Sequence, residues 1–119
     1  MCVLLVEDEA IILMDVADAL ERAGHEVLQA TDGAQALEAI RRHCGRFSAL
    51  VTDQRIPGGI EGSTIATAMR AEYADIPVII ATGNPDEITV EFRSRYRVKV
   101  LSKPYHPGLI VRELSAPAK

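Results

Sequence analysis

Tryptophan is absent and aromatic residues make up only 4% of the chain, so any core must be built from aliphatic side chains. Cysteine is nearly absent too. Cys2 and Cys44 lack metal-ligand spacing and are too few for a disulfide framework, so they read as reduced thiols in apolar surroundings. No apolar run approaches the roughly 20 residues of a membrane span. The start, Met1-Cys2-Val3-Leu4-Leu5-Val6-Glu7-Asp8, turns acidic too soon for a secretory signal, so a cytoplasmic location is expected. There is no basic excess: the net charge of -4 offers no footprint for direct nucleic-acid binding or for an anionic membrane. Internal repeats and linkers are also missing, and the expectation is one domain over residues 1–119.

What is present is an alternation of strands and helices. Cys2–Val6 is an unbroken apolar run, followed by a helical spacing of Ile12, Leu13, Val16 and Leu20 up to Gly24. Glu26–Ala30 reads as a strand with one polar side, and a second helix spans Ala34 to about His43. A third strand, Ala49 to Thr52, climbs to Asp53 before Pro57-Gly58-Gly59 breaks the chain. A third helix is expected from about Ser63 to Tyr73. Val78–Ala81 is wholly apolar. Asn84-Pro85-Asp86-Glu87 then has the cap, proline and acids of a helix start, with the helix running to about Ser94. Phe92 and Tyr96, four apart, pack that helix down, and Arg93, Arg95 and Arg97 read as a solvated cluster. Val98–Leu101 is a fifth strand, Pro107 to Leu114 a last helix, and Ala116–Lys119 a frayed tail. His25, His43 and His106 fall on the surface or in loops.

Such alternation requires parallel pairing with right-handed crossovers. The first, third and fourth strands are apolar on both faces and belong at the centre; the second and fifth carry Glu26, Gln29 and Lys99 and belong at the edges. The order that satisfies this is 2-1-3-4-5, a flavodoxin-like (βα)5 three-layer sandwich with a five-stranded parallel sheet. Its topological switch lies between strands one and three. Glu7-Asp8 then stand beside Asp53, with Thr82 next along and Lys103 beyond.

Three carboxylates in one pocket repel each other, and one holds its proton unless a cation intervenes. Magnesium suits such a site because it takes hard oxygen ligands and keeps several waters. An anion between the metal and Lys103 is neutralised from both sides, and a phosphoryl group fits. Thr82 is placed to donate a hydrogen bond to it, and Asp53 to act as a carboxylate nucleophile.

At these residues the chain resembles the receiver domain of two-component response regulators over essentially its whole length. The matching pieces are Val6-Glu7-Asp8-Glu9, Asp53 followed by Ile56-Pro57 and glycine, Ala81-Thr82-Gly83, and Lys103-Pro104-Tyr105. The resemblance implies phosphorylation of Asp53 by the phosphohistidine of a sensor histidine kinase or histidine phosphotransferase. It implies Mg2+ held by Asp8 and Asp53 directly, by Glu7 through water, and by the Arg55 backbone carbonyl. Thr82 and Lys103 would contact the phosphoryl group, and Lys103-Pro104 would be a cis peptide. A receiver is no conventional turnover enzyme, although it promotes its own aspartyl phosphorylation and dephosphorylation. Output is expected through the face of the fourth helix, fifth strand and fifth helix, with Ile88, Phe92 and Val98 as its residues. The chain ends without an effector domain, so output is expected by contact with a downstream protein or by phosphoryl shuttling.

Three departures stand out. The loop Pro57–Gly62 is one residue longer than the commonest family form, and resembles a variant of hybrid kinases and small stand-alone receivers. Val100 stands where many receivers carry an aromatic that moves with the threonine. Arg55 places a long cation two residues after Asp53, either pairing with Glu7 or covering the phosphoryl group. The alternative function is a phosphorylation-independent, receiver-like interaction module. A haloacid-dehalogenase-type hydrolase also uses an aspartyl phosphate, but that family needs its nucleophile on the first strand.

Overall fold

The apolar run Cys2–Val6 forms β1, an interior strand of the sheet, in a computed structural model that describes residues 2–43 and 45–115. The chain continues through α1 (Ala10–Arg22), β2 (Glu26–Ala30), α2 (Gly33–Arg42), β3 (Phe47–Asp53) and α3 (Gly62–Glu72). It then passes β4 (Val78–Thr82), a 3-10 turn at Pro85–Glu87, α4 (Val90–Tyr96), β5 (Val98–Ser102) and α5 (Pro107–Ser115). All strands are parallel and their order is β2-β1-β3-β4-β5, as the distribution of polar residues requires. Cys2 is half-buried and not in a disulfide; Cys44 and the tail 116–119 lie outside the described residues.

Alternation along the strands divides the core into two layers. Leu4, Val6, Leu50, Val78 and Ile80 point one way and pack with Ile40, Ile65 and Met69 under α2, α3 and α4. Val3, Leu5, Ala49, Val51 and Ile79 point the other way and meet Leu13, Val16, Leu20 and Ile110 of α1 and α5. The core is aliphatic, with Phe47 the one ring buried outright among the described residues. Because the central strands are covered on both faces, their carboxyl ends are the places where polar groups emerge together.

The approach to α4 differs from expectation. Asn84 makes no side-chain cap, and the chain leaves the 3-10 turn through an extended Ile88, a residue only 3% exposed. Burying Ile88 breaks the helix path. α4 therefore starts at Val90, capped by the Thr89 hydroxyl, which accepts from the Phe92 N–H at 3.0 Å. Phe92 and Tyr96 do pack that helix down, with ring centroids 4.7 Å apart. The three arginines around them are not simply solvated. Arg93 donates to the Ile88 and Pro85 carbonyls at 3.0 and 2.6 Å, Arg95 lies over the Tyr96 ring at 5.4 Å, and Arg97 donates to the Ala74 carbonyl. Ile88 and Val98, expected on an output face, belong to the core instead; Val90, 76% exposed, is the apolar residue that α4 presents.

Candidate functional site

The tips of β1 and β3 pair along Val6–Thr52, so the next residue of each strand, Glu7 and Asp53, emerges at the same end of the sheet. Glu7, Asp8 and Asp53 each bring a carboxylate oxygen within 4.8 Å of the other two. Glu7 and Asp53 are buried and Asp8 is exposed. Asp53 also pairs in register with Ala81 of β4, which puts Thr82 at the adjoining strand tip. From the far side, Lys103 reaches back past β5. Its Nζ lies 2.8 and 2.9 Å from the two Asp53 carboxylate oxygens and 3.5 Å from Glu7 Oε1. Lys103-Pro104 is cis.

The electrostatics follow from one cation among three acids. Burial and the Asp53 carboxylate beside it push Glu7 up to about 8, against a smaller opposing pull from Lys103. Glu7 Oε2 accepts from the backbone N–H groups of Asp8 and Glu9 at 3.0 and 3.4 Å, whereas Oε1 is buried without a hydrogen-bond partner. For Lys103, burial pulls downward, but the bond to Asp53 and the charges of Asp53 and Glu7 outweigh it and the net shift is upward. Burial, with the same two acids, pushes the Tyr105 phenol well above its ordinary range, so it stays a neutral donor beside the pocket.

A buried carboxylate oxygen with no hydrogen bond, within a set of hard oxygen donors, is a good match to magnesium, which would satisfy Glu7 Oε1 and offset the burial and the repulsion from Asp53 that raise the Glu7 carboxyl. The exposed side of Asp8 opens on a cleft of about 410 Å³ lined also by Arg55, Ile56, Pro57, Gly59 and Glu61. Arg55 does not pair with Glu7. Its guanidinium bridges Glu61 at 3.3 Å and Glu87 at 2.5 Å, and the other Glu87 oxygen accepts from the Thr82 hydroxyl.

Two residues escaped the sequence reading. Gln54 is 4% exposed and clamps the start of α3: its carbonyl accepts from Gly62 N–H at 3.0 Å and its side-chain oxygen from Ser63 N–H at 2.8 Å. It does the capping that Glu61 does not. Gly62 is required by that approach, because a Cβ there would meet the Asp53 carbonyl oxygen at 2.2 Å. The acidic glutamate Glu87 is the other. Its helix-start position hid the fact that it faces inward onto Thr82.

Fold and pocket together define a parallel α/β domain with its acidic site at the carboxyl ends of the central strands. The model of the response regulator receiver domain matches residues 3–115, and the chain belongs to that family, the receivers of two-component systems. It is 33% identical to the response regulator receiver protein CpdR of Brucella abortus, over 94% of this chain and 92% of that one. It is 36% identical to the transcriptional regulatory protein PrrA of Mycobacterium bovis over 66% of this chain, and it spans only 32% of PrrA's length. Chemotaxis protein CheY4 of Vibrio cholerae superposes with a TM-score of 0.80 at 27% identity, over 95% of this chain and 94% of that one.

Proposed function

We propose that Asp53 is a phosphoacceptor that takes a phosphoryl group from the phosphohistidine of a sensor kinase or histidine phosphotransferase. The observation that carries this reading is the junction of Glu7, Asp8 and Asp53 within 4.8 Å, with Lys103 on the Asp53 carboxylate. An Asp53 oxygen attacks phosphorus, a P–O bond forms as the P–N bond breaks, and the electron pair returns to the histidine imidazole. Glu7, Asp8, Asp53 and the Arg55 carbonyl would hold magnesium, which when bound supplies positive charge to the phosphoryl oxygens. Lys103 neutralises the acceptor from the opposite side, and the Thr82 hydroxyl is one strand tip away from the new group. The rigid ends of β1 and β3 keep these groups positioned before the donor arrives. Output would run through α4, β5 and α5, where Val90 rather than Ile88 or Val98 is available to a protein partner.

Intact mass after incubation with acetyl phosphate and magnesium tests the reading. One phosphoryl adduct is expected, absent from Asp53→Asn and from metal-free buffer. An unchanged mass, under conditions that label a control receiver, would instead support a phosphorylation-independent interaction module.

A further inference from the structure

Glu87 is the residue whose placement the acceptor chemistry leaves unexplained. Its side chain is 14% exposed, and its two oxygens serve different masters: one accepts from the Thr82 hydroxyl, the other pairs with Arg55 Nη2 at 2.5 Å. We infer that Thr82–Glu87–Arg55 is a latch that holds the unphosphorylated conformation and passes a charge change at Asp53 to α4. This rests on the phosphoacceptor reading of Asp53.

A hydroxyl has one proton to donate. The Thr82 proton is now committed to Glu87, so it cannot also serve a phosphoryl group on Asp53 at the neighbouring tip. Phosphorylation brings close to two negative charges into the pocket. That group competes for the Thr82 proton and for the Arg55 guanidinium, and it repels the Glu87 carboxylate. Glu87 then loses its inward partner and leaves the pocket.

The displacement has a mechanical path. Glu87 ends the 3-10 turn whose Ile88 and Pro85 carbonyls are tied by Arg93 to the first turn of α4. Thr82 Oγ1 also accepts from the Asn84 N–H at 3.1 Å, so a rotated hydroxyl frees the start of the same turn. Across β5, Val100 is packed into the apolar cluster, so the polar route out of Thr82 runs through Glu87.

Amide hydrogen exchange over residues 84–93 tests the latch, with the intact mass of each sample recorded first. Four of these amides have the bonds at stake: Asn84 to Thr82 Oγ1, Glu87 to Asn84, Ile88 to Pro85, and Phe92 to Thr89 Oγ1. Phosphorylated wild type should exchange about tenfold faster there than free wild type, the effect of losing one charge-assisted hydrogen bond. Free E87M, which has no oxygen to accept from Thr82 or to pair with Arg55, should already show most of that rise, with α1 and the central strands unchanged. Free R55M, altered at an exposed side chain, should show a smaller rise of about threefold and serves if E87M fails to fold. A phosphoryl adduct on Asp53 with no change over 84–93 overturns the latch and leaves the acceptor intact. E87M or R55M indistinguishable from wild type overturns it as well. No adduct on wild type overturns both.

Discussion

α3 buries Gly62, Ile65, Ala66 and Met69 against the sheet, whereas α4, on the same face, buries none of its seven residues outright. The two helices are consequently held by different forces. α3 is packed, and its first turn is clamped to the tip of β3 by Gln54. α4 rests on half-buried Phe92 and Tyr96, enters through the Thr89 cap and leaves through Arg97 in the left-handed conformation at φ 53°. Its remaining anchors are polar. Arg70 of α3 donates to the carbonyls of Tyr96 at 2.9 Å and Arg97 at 3.2 Å, and also to those of Tyr73, Ala74 and Ile76. Packing resists a new charge nearby, whereas hydrogen bonds can be exchanged for others. The site is thus fixed on its β1–β3–α3 side and adjustable on its β4–α4 side.

The strongest way to break the contrast is Gly62→Ala. A methyl group has to displace the Asp53 carbonyl or α3 itself, so a loss of about 3 kcal/mol in urea denaturation is expected, together with slower phosphorylation of Asp53. A loss under about 0.5 kcal/mol would mean that this side of the site is as yielding as the other.

Arg70→Met comes next. Five carbonyls lose a charged donor, and about 2 kcal/mol should be lost, with faster exchange at α4 and little change at α1. Uniformly faster exchange in both helices would erase the distinction between a packed and a tethered element.

A third measurement sharpens the comparison inside the pocket. With Glu7 raised to about 8 from 4.5, the folded protein keeps a proton that the unfolded chain releases between those pH values. Stability without metal should therefore fall as pH rises through that window and level off above it, by at most about 1.4 kcal/mol per pH unit. Glu7→Gln should flatten the slope, and so should excess magnesium, which replaces the proton. Thermal melts between pH 5 and 9 read this directly; a slope that survives Glu7→Gln belongs to another group.

Much of the site was legible because each acid or base follows an apolar run. Glu7, Asp53 and Thr82 could be placed at strand tips from the burial pattern alone, and the strand order then brought them side by side. Arg55 and Glu87 were not legible in this way. Both lie in loops, where no periodicity says which direction a side chain takes, and Glu87 sat in what read as a helix start. Two residues expected on the output face were misread for a related reason: Ile88 and Val98 are apolar residues in short segments, and composition does not say that both point inward.

What the sequence determined by itself is the sheet, its order and the end at which polar chemistry collects, because strand burial is written in runs of apolar residues. Only the tertiary structure decided that Gln54 caps α3, that Gly62 must lack a side chain, and that Glu87 bridges Thr82 and Arg55. Each depends on the approach of segments distant along the chain or on a loop's path, and such distances arise only when the packed layers set them.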